Sequence, residues 1–168
     1  MVQLYYGDGK GKTTAAVGAA VRAAGAGASV LFVSFYKDGS SSEVAALERL
    51  GVQCLFPREQ FQMFCPVTAE KQAALAADYA RLLTEIDAWA ADCFLVVLDE
   101  GADAFAGDLL PRQAVLELLQ RHGKEREIIL TGHSLPADLA PLCDYVTRMT
   151  KERHPFDTGA PARRGIEY

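Results

Sequence analysis

The stretch Val2-Gln3-Leu4-Tyr5-Tyr6-Gly7-Asp8-Gly9-Lys10-Gly11-Lys12-Thr13-Thr14 decides the fold. A short β-branched and aromatic run leads into glycines at 7, 9 and 11. Thr13–Ala24 then follows, alanine-rich and free of proline, and reads as a helix stopped near Gly25 and Gly27. Strand, glycine turn and helix in that order are what a phosphate-binding loop requires. Glycines let the backbone curl so that successive N–H groups point into one concavity, and the helix N-terminus adds partial positive charge at the same spot. Lys12 supplies a full charge for the outer phosphates, and the Thr13 hydroxyl suits Mg²⁺ or Mn²⁺. The spacing differs from G-x-x-x-x-G-K-[ST]: counting back from Gly11, Tyr6 stands where the first glycine belongs, and Gly7 leaves only Asp8, Gly9 and Lys10 between. Phosphates in this loop are therefore expected to sit differently from those of an ordinary nucleoside triphosphatase.

Outward from this loop, apolar strands alternate with helices. Ser29–Phe35 and Phe94–Leu98 are near-continuous apolar runs, the pattern of strands covered on both faces. Val52–Leu55, Glu127–Thr131 and Tyr145–Met149 read as further strands, the last of them in the core. Helices are expected from Ser40-Ser41-Ser42 to about Leu50, from Thr68 to about Ala90, over Pro111–His122, and as a short piece over Pro136–Leu142. The segment Pro57–Pro66 is irregular and aromatic. The pattern predicts an α/β fold of P-loop NTPase-like (RecA-like) type, a mostly parallel sheet flanked by helices, with ligands at the carboxyl ends of the strands.

The chain of 168 residues is expected to form one domain, residues 1–168, with a tail from 151 to 168 packed near the site. Apolar residues make up 50% and charged residues 23%, which excludes disorder over most of the length. The net charge of −5 argues against generic nucleic-acid or anionic-membrane binding, so any bound anion needs a local site. No apolar run is long enough to span a membrane, and residues 1–6 lack signal-peptide character. Cys54, Cys65, Cys93 and Cys143 form no C-x-x-C pair and read as reduced thiols of a cytoplasmic protein.

The second chemical signal is Phe94-Leu95-Val96-Val97-Leu98-Asp99-Glu100, an apolar strand ending in two acids. It would place a carboxylate beside the phosphate loop, where it can hold Mg²⁺ directly or through water. Asp99 and Glu100 point to opposite faces if the strand persists, so one of them is expected to reach the ion. From Tyr145 onward five basic residues face three acidic ones, a patch suited either to an anionic ligand or to plain solvation. His133, just after the fifth strand, is a candidate nucleotide contact. His122 reads as solvent-facing, and Trp89 as a core or dimer-contact residue.

Taken together, GDGKGKTTAAVGAAVRAAG at 7–25, VVLDE at 96–100, ILTGH at 129–133 and RHPFDTGAPARRGIEY at 153–168 resemble the ATP:corrinoid adenosyltransferases over nearly the whole chain. The resemblance implies transfer of the 5′-deoxyadenosyl group of ATP to the cobalt of a reduced corrinoid, with triphosphate leaving. It carries the nucleotide site onto Gly7, Asp8, Gly9, Lys10, Gly11, Lys12, Thr13 and Thr14, a phosphate contact onto Arg22, and the acidic residue near the metal onto Glu100. In well-known members an aromatic pair under the corrinoid displaces its lower axial ligand. Here Phe61 and Phe64 stand in that loop, without a tryptophan and at different spacing, and core burial is an equal reading for them. The first strand begins at Val2, so the N-terminal extension that covers the corrinoid in some relatives is expected to be missing. The family further implies a homodimer and a flavoprotein reductant. Two other readings compete: a P-loop small-molecule kinase or ATPase, and a non-catalytic nucleotide- or corrinoid-binding module.

Overall fold

A computed structural model describes residues 1–59 and 68–166. The order of elements is β1 (Val2–Tyr6), α1 (Lys12–Gly25), β2 (Val30–Ser34), α2 (Ser42–Arg49), β3 (Gln53–Leu55), α3 (Ala69–Ala90), β4 (Leu95–Asp99), α4 (Gly101–Ala106), α5 (Arg112–His122), β5 (Glu127–Gly132) and β6 (Tyr145–Arg148). The strands form one parallel sheet in the order β3-β2-β4-β5-β1-β6. Every residue of β2 and β4 is buried, as their unbroken apolar runs require of strands with both faces covered.

Alternation along β2 separates two cores. Leu31 and Val33 pack with Leu4, Tyr79, Leu82 and Phe105 on the side of α3, α4 and α5. Val30 and Phe32 pack with Ala16, Ala20 and Leu47 on the side of α1 and α2. Ala16 and Ala20, four residues apart on one helix face, are fully buried, and their small side chains bring α1 close to the sheet. On the other side the Tyr79 ring stacks on Phe35 at 5.8 Å and its hydroxyl donates to the Phe35 carbonyl. Removing that ring would cost about 3–5 kcal/mol. The sheet sets the carboxyl ends of β4, β5 and β1 side by side, where an open α/β sheet binds its ligands.

Several sequence expectations need correction. The final strand is not in the core: β6 is an edge strand paired only with β1, with Tyr145 51% and Val146 45% exposed. The helix expected over Pro136–Leu142 is a 3-10 turn at Ala140–Leu142. The unanticipated α4 has only six residues, too few to show a helical period in sequence. His122 is buried, not solvent-facing, because its Nε2 meets Asp87 Oδ1 of α3 at 2.8 Å. Trp89 is 43% exposed and so is no core residue. No described helix is long and apolar enough to cross a membrane.

Candidate functional site

The glycine loop is wedged between the ends of β5 and β6. Gly7 N–H donates to Gly132 O (3.2 Å), Gly9 N–H to Met149 O (2.8 Å), and Met149 N–H back to Tyr6 O (2.7 Å). Gly7 has φ +120°, and a Cβ there would lie 2.2 Å from the Met149 carbonyl oxygen. Backbone conformation and close approach therefore both demand glycine at that position. Gly11 begins α1 at φ +115° with no side-chain cap, so the first-turn N–H groups are left to whatever the loop encloses. Lys12 crosses the loop, its Nζ donating to the carbonyls of Gly7 (2.8 Å) and Gly9 (3.0 Å).

Asp99 ends β4 fully buried at the centre of a polar network. Its Oδ1 accepts from the hydroxyls of Thr13 and Thr131, both at 2.8 Å, and its Oδ2 lies 3.3 Å from Lys37 Nζ and 3.5 Å from Ser34 Oγ. Thr131 also accepts the Glu100 N–H at 2.8 Å, fixing the turn at which the chain leaves β4. Glu100 takes the left-handed conformation (φ 60°) and caps α4, so the strand does not persist through the second acid, and Asp99 is the one joined to Thr13. Burial, and then the Asp99 charge, push the Glu100 carboxyl above the ordinary glutamate range, against the pull of Lys37. Burial opposes the charge on Lys37, but Asp99, Glu100 and Glu43 outweigh it and raise the pKa of the ammonium.

Hard oxygen donors thus stand beside the loop: the Thr13 hydroxyl is bonded to the Asp99 carboxylate, and the Glu100 carboxylate lies close enough to feel Asp99 and Lys37. Glu100 Oε2 is buried with no hydrogen-bond partner among the described residues, as a carboxylate kept for a cation would be. The described residues form no group of three or more His, Cys, Asp or Glu side chains able to hold a metal ion. That set fits Mg²⁺, which takes one or two carboxylates and completes its shell with phosphate and water. The cavity beside the loop has a volume of about 480 Å³ and is lined by Asp8–Thr14, Val17, Lys37, Ser42, Glu43 and, from the tail, His154, Gly165 and Ile166.

A shortened phosphate loop, a strand-end carboxylate bonded to its threonine and a C-terminal tail lining the same cavity match one family. The family model for the ATP:corrinoid adenosyltransferases BtuR/CobO/CobP matches residues 1–168. The chain belongs to that family. A corrinoid adenosyltransferase of Salmonella typhimurium, CobA, is 35% identical over 181 residues, covering 100% of this chain and 85% of the relative. The corrinoid adenosyltransferase of Escherichia coli K12 is 31% identical over 169 residues, with the same shares covered. That of Pseudomonas aeruginosa is 29% identical over 166 residues, covering 98% of this chain and 82% of the relative. These matches lend no support to the kinase, ATPase or binding-module readings.

Within this adenosyltransferase the structure brings most, not all, of the expected residues together. Asp8–Thr14 line one cavity, the Gly7 carbonyl is held by Lys12 of the same loop, and Asp99 is bonded to Thr13, with Glu100 following it in the chain. Arg22 stands in the last turn of α1, about 15 Å along the helix from Lys12, and acts electrostatically on Tyr5. The structure does not bring it to the loop. His133 is exposed and paired with Asp103, outside the residues that line the phosphate cavity. Phe61 and Phe64 lie outside the described residues. Lys37, Ser34 and Thr131 escaped sequence reading, although each follows or ends an apolar run at the carboxyl edge of the sheet. That position was the available signal.

Proposed function

We propose that this chain transfers the 5′-deoxyadenosyl group of ATP to the cobalt of a reduced corrinoid, with triphosphate as leaving group, at the cavity beside the glycine loop. The observation that carries this reading is the Thr13–Asp99 hydrogen bond of 2.8 Å closing a site whose other wall is the shortened loop. The cobalt of a Co(I) corrinoid donates the electron pair that forms the Co–C5′ bond. The C5′–O bond breaks and its pair leaves on the triphosphate oxygen. Neither a protein nucleophile nor a general base is required. Lys12, the loop amides and the first-turn N–H groups of α1 hold the triphosphate in place and take up the charge it gains as it departs.

Thr13, Asp99 and Glu100 would hold Mg²⁺, which when bound neutralises charge on the departing triphosphate. The tail from residue 151 supports closure of the cavity: Lys151 N–H donates to Asp8 Oδ1 (3.2 Å) and Lys10 Nζ to the Ile166 carbonyl (3.1 Å). Phe61 and Phe64 are assigned to the lower face of the corrinoid. A flavoprotein would supply the electrons, and the working form would be a cytoplasmic homodimer.

Anaerobic incubation with ATP, Mg²⁺ and chemically reduced cobalamin tests the proposal. It should yield a light-sensitive Co–C product together with triphosphate. Phosphate or diphosphate without an adenosylated corrinoid would point instead to a kinase or ATPase.

A further inference from the structure

Asp99 is fully buried, and each of its oxygens holds a residue that lines the loop cavity: Oδ1 the Thr13 hydroxyl at 2.8 Å, Oδ2 the Lys37 ammonium at 3.3 Å. Lys37 comes from outside the loop. β2 ends at Ser34, which pairs in register with Asp99, and the chain continues through Phe35 and Tyr36 to Lys37. Among the described residues lining the cavity, it is the lysine that the loop does not carry. Glu43, in the first turn of α2, faces the same ammonium at 3.4 Å.

Both distances are long for a charge-assisted N–H···O bond, which closes to about 2.7–2.9 Å when fully made. The ammonium is therefore shared between two carboxylates and committed to neither. It carries three N–H donors, of which Asp99 and Glu43 take two. The third has no partner among the described residues, and the side chain stays 27% exposed where it lines the cavity. The loop's own lysines are turned to the backbone: Lys12 Nζ donates to the Gly7 and Gly9 carbonyls, and Lys10 Nζ to that of Ile166. A triphosphate seated on the loop meets amides and the α1 N-terminus on one face only. A phosphate oxygen on its other face offers Lys37 the short bond that neither carboxylate makes.

We infer that Lys37 is a further triphosphate-binding residue: its ammonium, held ready by Asp99 and Glu43, donates to a phosphate oxygen on the face the loop leaves open, and takes up charge as the triphosphate departs. This rests on the reading of the cavity as the triphosphate site. Lys37 touches the leaving group, and Glu43 is its positioning residue.

The test titrates inorganic tripolyphosphate, the leaving group alone, into wild type and variants by calorimetry, with Mg²⁺ and without corrinoid. K37M should weaken binding about tenfold. K37M/E43Q, in which the cavity regains its original net charge, should stay weakened, because a lost contact is not restored by charge balance. K37R keeps the charge and the donors and should retain most of the affinity. In turnover, kcat of K37M should fall by more than the KM for ATP rises, because the phosphates gain charge as the C5′–O bond breaks. Should K37M not fold, K37Q, which keeps a donor for Asp99, takes its place in every comparison. Unchanged tripolyphosphate affinity in K37M, even with a lowered melting temperature, would make Lys37 a partner of Asp99 alone and overturn the inference, as would full recovery in K37M/E43Q. A wild type that binds tripolyphosphate but makes no adenosylated corrinoid would overturn the adenosyl-transfer reading instead, and the titrations would still decide the role of Lys37.

Discussion

Asp99 sits fully buried between Thr13, Thr131, Lys37 and Ser34, whereas the tail reaches the same cavity through exposed groups, Lys151 N–H on Asp8 and Lys10 Nζ on Ile166 O. A buried, mutually satisfied network is rigid, because each donor removed leaves a desolvated acceptor behind. Exposed contacts compete with water and can open at little cost. The contrast teaches a division of labour. The strand ends hold their polar groups in a buried network, and the tail meets the same cavity through solvent-exposed contacts.

The largest expected effect breaks the rigid half. K12A should lower adenosyl transfer by at least about 10²-fold, as for removal of one charge-stabilising donor, with the melting curve preserved. Next comes a matched pair of glycines. A Cβ added at Gly7 (φ +120°) would lie 2.2 Å from the Met149 carbonyl oxygen, whereas one added at Gly159 in the tail (φ +78°) would meet nothing within 4 Å. In urea titrations G7A should lose about 2–4 kcal/mol and G159A about 1 kcal/mol or less. Equal losses would erase the distinction between the two regions. Ending the chain after Thr150 should change stability by less than about 1 kcal/mol and act chiefly on substrate affinity, a several-fold rise in the KM for ATP.

The smallest effect concerns Glu100. Its pKa is raised by burial first and by Asp99 second, so the folded state prefers the protonated acid. The stabilisation from that preference is complete below the ordinary glutamate pKa and is lost as pH rises through the raised one. With metal chelated, E100Q should therefore be more stable than wild type at pH 8 and no more stable at pH 4. Denaturation midpoints at the two pH values check this.

Much of this architecture was legible in the sequence. The runs at 29–35 and 94–98 could only be strands covered on both sides, and the glycine loop with Lys12 and Thr13 announced an anion site. Asp99 was legible as a strand-end acid, but its partners were not, because Ser34 and Thr131 meet it through the β2–β4–β5 register and Thr13 through the packing of α1 on the sheet. His122 misled because a histidine near a helix end looks solvated until tertiary packing supplies Asp87. Tyr145–Met149 looked like a core strand because apolar residues on an edge strand have the same local pattern. Arg22 shows the reverse limit: its match to the family places it on the right helix, and helix geometry then carries it away from the loop.

The most direct test is a phosphorus NMR count of products per Co–C bond formed, with wild type and K12A compared under anaerobic turnover. The account predicts one inorganic triphosphate for each adenosylated corrinoid in the wild type and loss of both signals together in the variant. Diphosphate or phosphate accumulating in step with the Co–C bond, or undiminished triphosphate from K12A, would contradict it.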